Sequence, residues 1–587
     1  MKVLLLNLFI FALIATSCYN QRPDITCTTF NEPEDPETPD VLEWEATGRG
    51  LHLSFGSKDV KYKKGKVPML AVTKDKEILA WKGESVSFQA VLWSAFPVEQ
   101  IECEWENLTT PKGDTISRDI IQTRFVRYIL SDTDFINGES DNIAWRDSCL
   151  LPDMLDSLPC MNMEAQSVRP LWVTINIPGD VTEGTYNASL KVYSKKNPPQ
   201  ELRLKLDICS RVLPKPENWR FQTNMYVNPD AIADWQQVPV WSDEHYKALT
   251  PYVELMKRAG QKGINVTVFN HEHQNTNYQP LIKWKKELNN QMKADFTQFD
   301  LWVKFLMENG ISSQLDCFVY NPDGDNKLIY LDERNNELIR KQLDVVQDRK
   351  IMEQCLKEII NHLKEQNWFG KAVFAIDKGD TETISNLKHL LQEIEPDIKM
   401  ELVAHDWTSG LLKDVYAANV PSGFSTLKEW FKLRHQQGLE TSYELESNVA
   451  YPNTYIHSPS AEASWLGWYA AAQGLDGIHI DNFNNWGQKP LFDARMLKAS
   501  SGSNYLIYPG ARSSIRFERL IEGLQDYEKV LVLREQQLTQ ESAENIQNLE
   551  LIDEVLSDFV IDRIPRESAS QMVKNGQELI KQLSVNN

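Results

Sequence analysis

The sequence has no excess of positive charge. Its 62 lysines and arginines are outnumbered by 83 aspartates and glutamates, which gives a formal net charge of −21 over 587 residues. Binding to a phosphate backbone needs a basic face, so this balance argues against a nucleic-acid-binding protein. We therefore expect no nucleic-acid partner.

Long apolar runs are also scarce. The one extended run, Val3 to Ile14, is too short to span a bilayer. It follows Lys2 and precedes Ala15-Thr16-Ser17-Cys18, which is the order of a signal peptide. A Cys directly after small residues resembles a bacterial lipoprotein lipobox, although Leu is more usual than Ala15. We expect an exported, bacterial cell-envelope lipoprotein of the periplasm or cell surface, anchored to the membrane by lipid on Cys18. The alternative is an ordinary secretory signal with an incidental Cys.

The eight cysteines include no C-x-x-C pair, which argues against a zinc cluster or a redox motif. Cys149 and Cys160 are close enough in sequence to bridge, and an oxidising compartment permits a disulfide. The spacing alone does not fix the connectivity of the other cysteines.

The chain is too long for one core, and its patterns divide it into segments. Residues 1–18 form the expected lipoprotein signal peptide. Residues 19–48 are rich in Pro, Asp, Glu and Thr and predict a flexible tether. Residues 49–212 predict an antiparallel β-sandwich, because segments such as Ser85–Trp93 and Leu171–Ile177 alternate apolar and polar residues between turn signals.

The period changes after Pro214-Lys215-Pro216. Ser242 is expected to cap a helix whose first turn carries Asp243 and Glu244. Strand and helix patterns then alternate through residues 213–512, and eight such units predict an α/β fold, a (β/α)8 TIM-like barrel. Residues 513–587 predict a C-terminal helical region. The eight predicted strands are Phe221–Val227, Asn265–Phe269, Ser313–Phe318, Ala372–Ile376, Ile398–Val403, Val420–Phe424, Leu439–Tyr443 and Gly477–Ile480.

The fourth predicted strand ends at a carboxylate, Asp377, which Lys378 follows. In a barrel of this kind the chemistry takes place at the carboxyl ends of the strands. Glycosidases of one class place two adjacent acids, Asp and then Glu, at such a position. Here the second position is a Lys.

Several segments of the chain resemble glycoside hydrolase family 123, and together they cover nearly all of the expected mature protein. The longest and most specific lies at the end of the barrel, and shorter ones lie in the sandwich and at the barrel start. They are Ser513–Glu528, Tyr508-Pro509-Gly510, Trp465–Ala471, Gly474–Gly477, Tyr451–Tyr455, Trp241–His245, Asn228-Pro229, Gly184-Thr185-Tyr186 and Arg169–Val173.

The resemblance implies a β-N-acetylgalactosaminidase that acts on terminal β-linked N-acetylhexosamine in glycans with retention of configuration. Its mechanism would be substrate-assisted, an exception to the usual two-carboxylate scheme. The 2-acetamido oxygen of the sugar attacks the anomeric carbon, an Asp orients and stabilises the acetamide, and the adjacent Glu protonates the leaving oxygen. The resemblance implies no metal and no other cofactor.

Carried over by motif, the Asp is Asp377, and the position of the acid falls on Lys378. An unperturbed Lys has a pKa of about 10.4 and donates a proton poorly near neutrality unless burial lowers that value. Acids elsewhere on the rim could replace it, and Glu444, which follows Tyr443 at the end of the seventh strand, is one of them. The others are Glu446, Asp481, Asp406 and Asp316.

The segments after the second, seventh and eighth strands depart from the family pattern, so the sugar contacts are expected to differ. His271 and His273 could serve a metal with Asp481 or His479 as a third ligand. A polar loop that contacts sugar hydroxyls is favoured, and no metal is assigned. The catalytic candidates are Asp377, Lys378, Tyr443 and Glu444, and the substrate-binding candidates are Asn228, His271, His273, Asp481 and Trp486.

Aromatic residues are plentiful, with 17 Trp and 19 Tyr, and such residues stack on sugar rings as well as filling cores. Trp235, Trp407 and Trp486 are candidates for a sugar subsite, whereas Trp465 and Trp468 lie in a helical pattern typical of a core.

Three functions follow from the sequence. The first is hydrolysis of N-acetylhexosaminides, the second is glycan binding without catalysis, and the third is a glycosidase with a relocated acid and a different sugar.

Overall fold

The structure is a computed structural model that describes residues 23–38, 41–134, 147–269, 280–320, 327–377, 380–403, 412, 415–421, 428–445, 449–480, 483–539, 542–561 and 567–585. Within these ranges the chain forms a β-sandwich, an eight-stranded parallel barrel and C-terminal helices. The predicted fold class is confirmed. The expected signal peptide and Cys18 lie outside the described residues, and no helix within them is long and apolar enough to cross a membrane.

The N-terminal part contains one short helix and twelve strands. They are α1 Val41–Ala46, β1 His52–Gly56, β2 Asp75–Lys82, β3 Ser85–Ser94, β4 Val98–Trp105, β5 Leu108–Thr109, β6 Thr115–Ile116, β7 Ile121–Asp132, β8 Ser148–Asp156, β9 Met161–Met163, β10 Ser167–Asn176, β11 Gly184–Tyr193 and β12 Gln200–Val212.

These strands build two sheets that pack face to face. One sheet has the order β1-β3-β10-β7-β8, and the other runs β2-β12-β11-β4-β9 with β5 and β6 at its side. All the pairings are antiparallel except that of β2 with β12. The central strand β10 is buried on both faces, because Leu171 and Val173 belong to the sandwich core while Trp172 packs on Ile515 outside it. The first sheet is therefore covered on its outer face by the C-terminal half of the chain.

The described part of the predicted tether packs on the sandwich, so the prediction of a flexible segment is wrong there. Phe30 belongs to the sandwich core, and the Glu32 carboxylate accepts hydrogen bonds from Arg169 at 2.7 and 2.9 Å. Cys27 forms a disulfide with Cys160, whereas Cys149 is a free, buried thiol. The bridge between Cys149 and Cys160 that their closeness in sequence would permit does not form, since the partner of Cys160 is 133 residues away.

The second half alternates strands and helices. Its elements are β13 Gln222–Met225, α2 Pro229–Gln236, α3 Asp243–Arg258, β14 Gly263–Thr267, β15 Lys283–Lys286, β16 Met292–Asp295, α4 Thr297–Glu308, β17 Gln314–Tyr320, β18 Lys327–Asp332, β19 Glu337–Gln342, α5 Arg349–Glu365, β20 Ala372–Asp377, α6 Thr381–Ile394, β21 Met400–Val403, β22 Ala417–Pro421, α7 Lys428–Gln436, β23 Glu440–Leu445, α8 Ala461–Gln473, β24 Gly477–Ile480, α9 Ile515–Leu538, α10 Ala543–Leu556 and α11 Ala569–Val585.

Eight of these strands form the barrel, in the order β13-β24-β23-β22-β21-β20-β17-β14, and they match the eight predicted strands with shifted ends. The ring is nearly closed, since a single bridge from Thr223 to Gln261 joins the two end strands. The Gln261 side chain reinforces this junction by accepting a hydrogen bond from the Met225 N–H at 2.7 Å. Ser242 caps α3 as expected, accepting from the His245 N–H at 3.2 Å.

A second, four-stranded sheet with the order β16-β15-β18-β19 was not predicted. It comes from insertions after β14 and β17, at the end of the barrel where the strands terminate. Trp284 fixes it to the barrel by donating its indole N–H to the Val268 carbonyl at 3.2 Å. The sheet was missed because its strands are only four to six residues long and do not alternate polar and apolar residues regularly.

Buried ion pairs join the sandwich to the barrel. Glu518 on α9 accepts from Arg124 of the sandwich at 2.8 Å and from Arg258 of α3 at 2.9 Å. Burial would raise the pKa of Glu518, but the two guanidinium groups outweigh it and hold that pKa well below its usual range. The interface is therefore held by charges that are costly to separate, because removing one partner leaves the other buried and unpaired.

The contact between α8 and α9 depends on two glycines, Gly467 and Gly523. A Cβ atom at Gly523 would lie 2.2 Å from the Ser464 carbonyl oxygen, which is backbone and cannot turn aside. We predict that Gly523→Ala lowers the free energy of unfolding by about 3 kcal/mol, measured by urea denaturation. Gly179→Ala is the matched control, since no atom lies within 4 Å of its Cβ. An equal effect of the two substitutions would contradict this account of the helix contact.

Candidate active site

The register of the parallel strands determines which side chains face the barrel interior. Asn224 on β13 donates to Asp316 on β17 at 3.1 Å, and His479 Nε2 on β24 lies 3.1 Å from Glu401 Oε1 on β21. Neither pair of strands is adjacent in the sheet, so both contacts cross the interior. Alternation along each strand then assigns every second residue to the interior.

Asp377 is the last residue of β20 and is half-buried. It shares a face with Ala375, which pairs with the inward-facing Glu401, so the Asp377 carboxylate belongs to the interior face at the barrel mouth. Asp380 caps α6, where its carboxylate accepts a hydrogen bond from the Thr383 N–H at 2.8 Å. The expected position of Asp377 at a strand end is therefore observed.

Glu444 and Tyr443 point to opposite sides of β23. Glu444 pairs with His479 in the strand register and faces the interior, where it is buried. Tyr443 faces the helical layer, and its hydroxyl donates to the Leu466 carbonyl at 3.0 Å. The assignment of Tyr443 to the catalytic set is therefore revised, because its hydroxyl is bound to α8 on the outer side of the barrel wall.

Asn228 and Trp486 lie on connections at the mouth. Asn228 caps α2 by accepting from the Ala231 N–H at 3.1 Å, while among the described residues its amide Nδ2 meets no hydrogen-bond acceptor. Trp486 is half-buried against Tyr252, and its indole N–H donates to the Ile507 carbonyl at 2.8 Å. The Asn228 amide is thus buried, and the polar group of Trp486 is already bound to the protein.

Of the predicted aromatic residues, Trp235 is exposed, and Trp465 and Trp468 are buried in the core as expected. The remaining candidates lie outside the described residues. They are Lys378, His271, His273, Asp481, Glu446, Asp406 and Trp407. Within the described residues no group of three or more His, Cys, Asp and Glu side chains is arranged to hold a metal ion.

The charged interior of the barrel was not predicted as a unit. His479 and Glu401 form its central ion pair, and Asp316 lies beside them, with Gln314 donating to its carboxylate at 2.6 Å. A cavity of about 20 Å³ among these residues has room for one water molecule. The signal in the sequence was an acid or a His inside each of three otherwise apolar strands, where a barrel core normally carries Val, Ile or Leu.

Burial and neighbouring charges shift the pKa values of this cluster. Burial raises the pKa of Asp316 to about 7, and the charge of Glu401 acts in the same direction. Burial alone would lower the pKa of His479, but the charges of Glu401, Asp316 and Glu444 outweigh it and raise the value to about 9. The imidazole is therefore a cation at neutral pH, enclosed by carboxyl groups.

Two sequence models of one family match the chain. The glycoside hydrolase 123 N-terminal domain matches residues 55–194, and the glycoside hydrolase 123 catalytic domain matches residues 226–533. The chain belongs to glycoside hydrolase family 123. The catalytic-domain match thus begins just after β13, covers the other seven barrel strands and ends within α9.

A family 123 glycoside hydrolase from Clostridium perfringens, whose structure was solved to detail glycolipid glycan hydrolysis, is similar in structure. The TM-score is 0.79 at 20% identity, over 91% of this chain and 98% of that chain. A family 5 xyloglucanase from Bacteroides ovatus (7% identity, 81% and 100% covered) and a maltogenic α-amylase from Thermotoga neapolitana (11% identity, 53% and 76% covered) reach TM-scores of only 0.24 and 0.30. No curated protein matches the chain significantly.

The family 123 barrel thus carries, in this chain, an interior ion pair whose contribution to stability depends on pH. The folded-state pKa of His479, about 9, lies above the usual value of 6.5. The stabilisation is therefore fully present below pH 6.5 and is lost as the pH rises through 9.

We predict that His479→Gln destabilises the protein by up to about 3 kcal/mol at pH 6.5, and that this difference shrinks towards pH 9.5. The measurement is urea denaturation of both proteins across this range. The exposed His389 supplies the control, His389→Gln, which should follow the unsubstituted protein at every pH. A difference between His479→Gln and the unsubstituted protein that is the same at all pH values would contradict the assigned charge.

Proposed function

We propose that this protein hydrolyses terminal β-linked N-acetylhexosamine, and N-acetylgalactosamine in particular, from glycans with retention of configuration. The observation that carries the proposal is the Asp377 carboxylate on the interior face at the end of the fourth strand of a family 123 barrel. A carboxylate at this place meets a sugar that enters the barrel mouth.

The mechanism we propose is substrate-assisted. Asp377 accepts a hydrogen bond from the acetamide N–H of the sugar, which turns the acetamide oxygen towards the anomeric carbon. As that oxygen attacks, the glycosidic bond breaks and positive charge develops on the ring and the acetamide, where the Asp377 carboxylate stabilises it. Water then opens the cyclic intermediate from the opposite face, and two inversions give net retention.

The leaving oxygen needs a proton, and Lys378 occupies the position that the family resemblance assigns to the acid. An ammonium group is a poor donor near neutrality unless its pKa is lowered. Hydrolysis is therefore expected to depend strongly on the quality of the leaving group, because a good leaving group departs without a proton.

The Lys at the position of the acid also favours a second candidate function, in which the protein binds terminal N-acetylhexosamine without cleaving it. A third candidate is a glycosidase with a different sugar, in which Glu444 on the interior face acts as the relocated acid. The three are separated by what the protein does to aryl and alkyl glycosides.

We predict that an aryl β-N-acetylgalactosaminide is cleaved while its alkyl counterpart is cleaved at least about 100-fold more slowly, the usual contribution of a general acid. Lys378→Glu should raise kcat for the alkyl glycoside by about the same factor, since it restores the acid. Release of the aryl alcohol and of free sugar is the measurement.

Asp377→Asn tests the site independently, because it keeps the size of the side chain and removes its charge. Cleavage of the aryl glycoside should fall below detection. Unchanged cleavage would show that the site is placed wrongly. Sugar binding with no cleavage of either glycoside, in both the unsubstituted protein and Lys378→Glu, would favour the glycan-binding function.

We also propose that the protein is exported and lipid-anchored to the bacterial cell envelope through Cys18, on the strength of the charged, apolar and small-residue order of residues 2–18. We predict that cells expressing the full chain incorporate labelled palmitate into it, and that Cys18→Ser abolishes incorporation. Cys149→Ser is the matched control, because this thiol is buried. Labelling that persists in Cys18→Ser would contradict the anchor.

A further inference from the structure

The barrel interior holds more charge than its fold requires. The titratable side chains that face it are Asp316, Glu401, Glu444 and His479 on four different strands, together with Asp377 at the mouth and Glu440 at the first position of β23. Charged groups are costly to bury unless they are paired, and apolar residues of similar volume would make a more stable core. A group of this kind in a barrel that opens to substrate therefore indicates a functional arrangement.

His479 lies between Glu401 in the middle of the interior and Glu444 near the mouth. Its Nε2 lies 3.1 Å from Glu401 on the far side of the barrel, and its neighbour in the register on the near side is Glu444, one residue from the end of β23. The charged or titratable groups that face the imidazole are Glu401 from β21, Asp316 from β17 and Glu444 from β23. The adjacent strand β13 presents the neutral Asn224.

We propose that His479 is a positioning residue for Glu444, in which the imidazolium, fixed across the interior by Glu401, holds the Glu444 carboxylate at the barrel mouth by opposite charge. Glu444 is thereby a second carboxylate of the site, beside Asp377. Its negative charge stabilises the positive charge that develops on the sugar ring in an oxocarbenium-like transition state. This inference deepens the glycosidase function proposed above and rests on it.

The first test does not depend on activity. In the full chain labelled at histidine, NMR follows the imidazole of His479, identified by its loss in His479→Gln. We expect it to titrate near pH 9, and we expect that pKa to fall by about one unit in Glu444→Gln and by more in Glu401→Gln, which also removes the direct contact with the imidazole. Glu382→Gln, an exposed substitution on α6, should leave it unchanged. Titration near the usual value, or no response to Glu444→Gln, overturns the proposal.

The second test uses the aryl β-N-acetylgalactosaminide. His479→Gln should lower kcat by about 100-fold with little change in KM, because the misplaced carboxylate acts only in the transition state. His479→Lys keeps a positive charge and should lose less, while His389→Gln should lose nothing. An equal loss in the Gln and Lys variants, or a loss confined to KM, overturns the proposal. An unsubstituted protein that cleaves no glycoside contradicts the proposed function, and the NMR titration still decides whether His479 holds Glu444.

Discussion

The parallel register of the eight barrel strands is the constraint on which the site depends. Strands that run in one direction bring all their carboxyl ends to one mouth, and alternation sends every second side chain inward. The register places Asp377 and Glu444 on the interior face and sends Tyr443 into the helical layer. A shift of one residue in β23 would exchange Glu444 and Tyr443, so the chemistry of the mouth is fixed by backbone pairing before any side chain contacts a sugar.

The charged groups in the barrel interior make the centre of this fold less stable than an apolar core would be. Hydrophobic packing would favour Val or Leu at the positions of Glu401 and His479, and an ion pair there contributes little net stability once desolvation is counted. The pair persists with Asp316 beside it, whose pKa is raised by burial to about 7. The barrel is therefore stabilised mainly outside its centre, by the dense apolar contacts between the barrel strands and the surrounding helices.

The sequence predicted the features that local patterns encode. Short apolar runs bounded by helix signals gave all eight barrel strands, and the end of one run identified Asp377. Features that depend on distant pairing were not predictable. The disulfide of Cys27 with Cys160 and the ion pair of His479 with Glu401 join residues far apart in sequence, and the sheet of β15, β16, β18 and β19 alternates too little to be recognised. The packed segment around Glu32 was missed because its composition resembles a linker, whereas its contacts are made with distant residues: Phe30 in the sandwich core, Cys27 with Cys160, and Glu32 with Arg169.

Contacts from the sandwich hold the connections that follow β23 and β24 in place. Lys61 of the sandwich donates to the carbonyls of Ile456 and Ser458 in the connection after β23. Burial lowers the pKa of that ammonium to about 8. Arg516, within the segment that most resembles the family, donates to the Thr454 carbonyl and pairs with Asp153 of the sandwich. These buried charges tolerate little change because each loss leaves a partner unpaired. They anchor the base of the long connections after β23 and β24, so the side chains at the strand ends can differ without loosening the backbone that presents them.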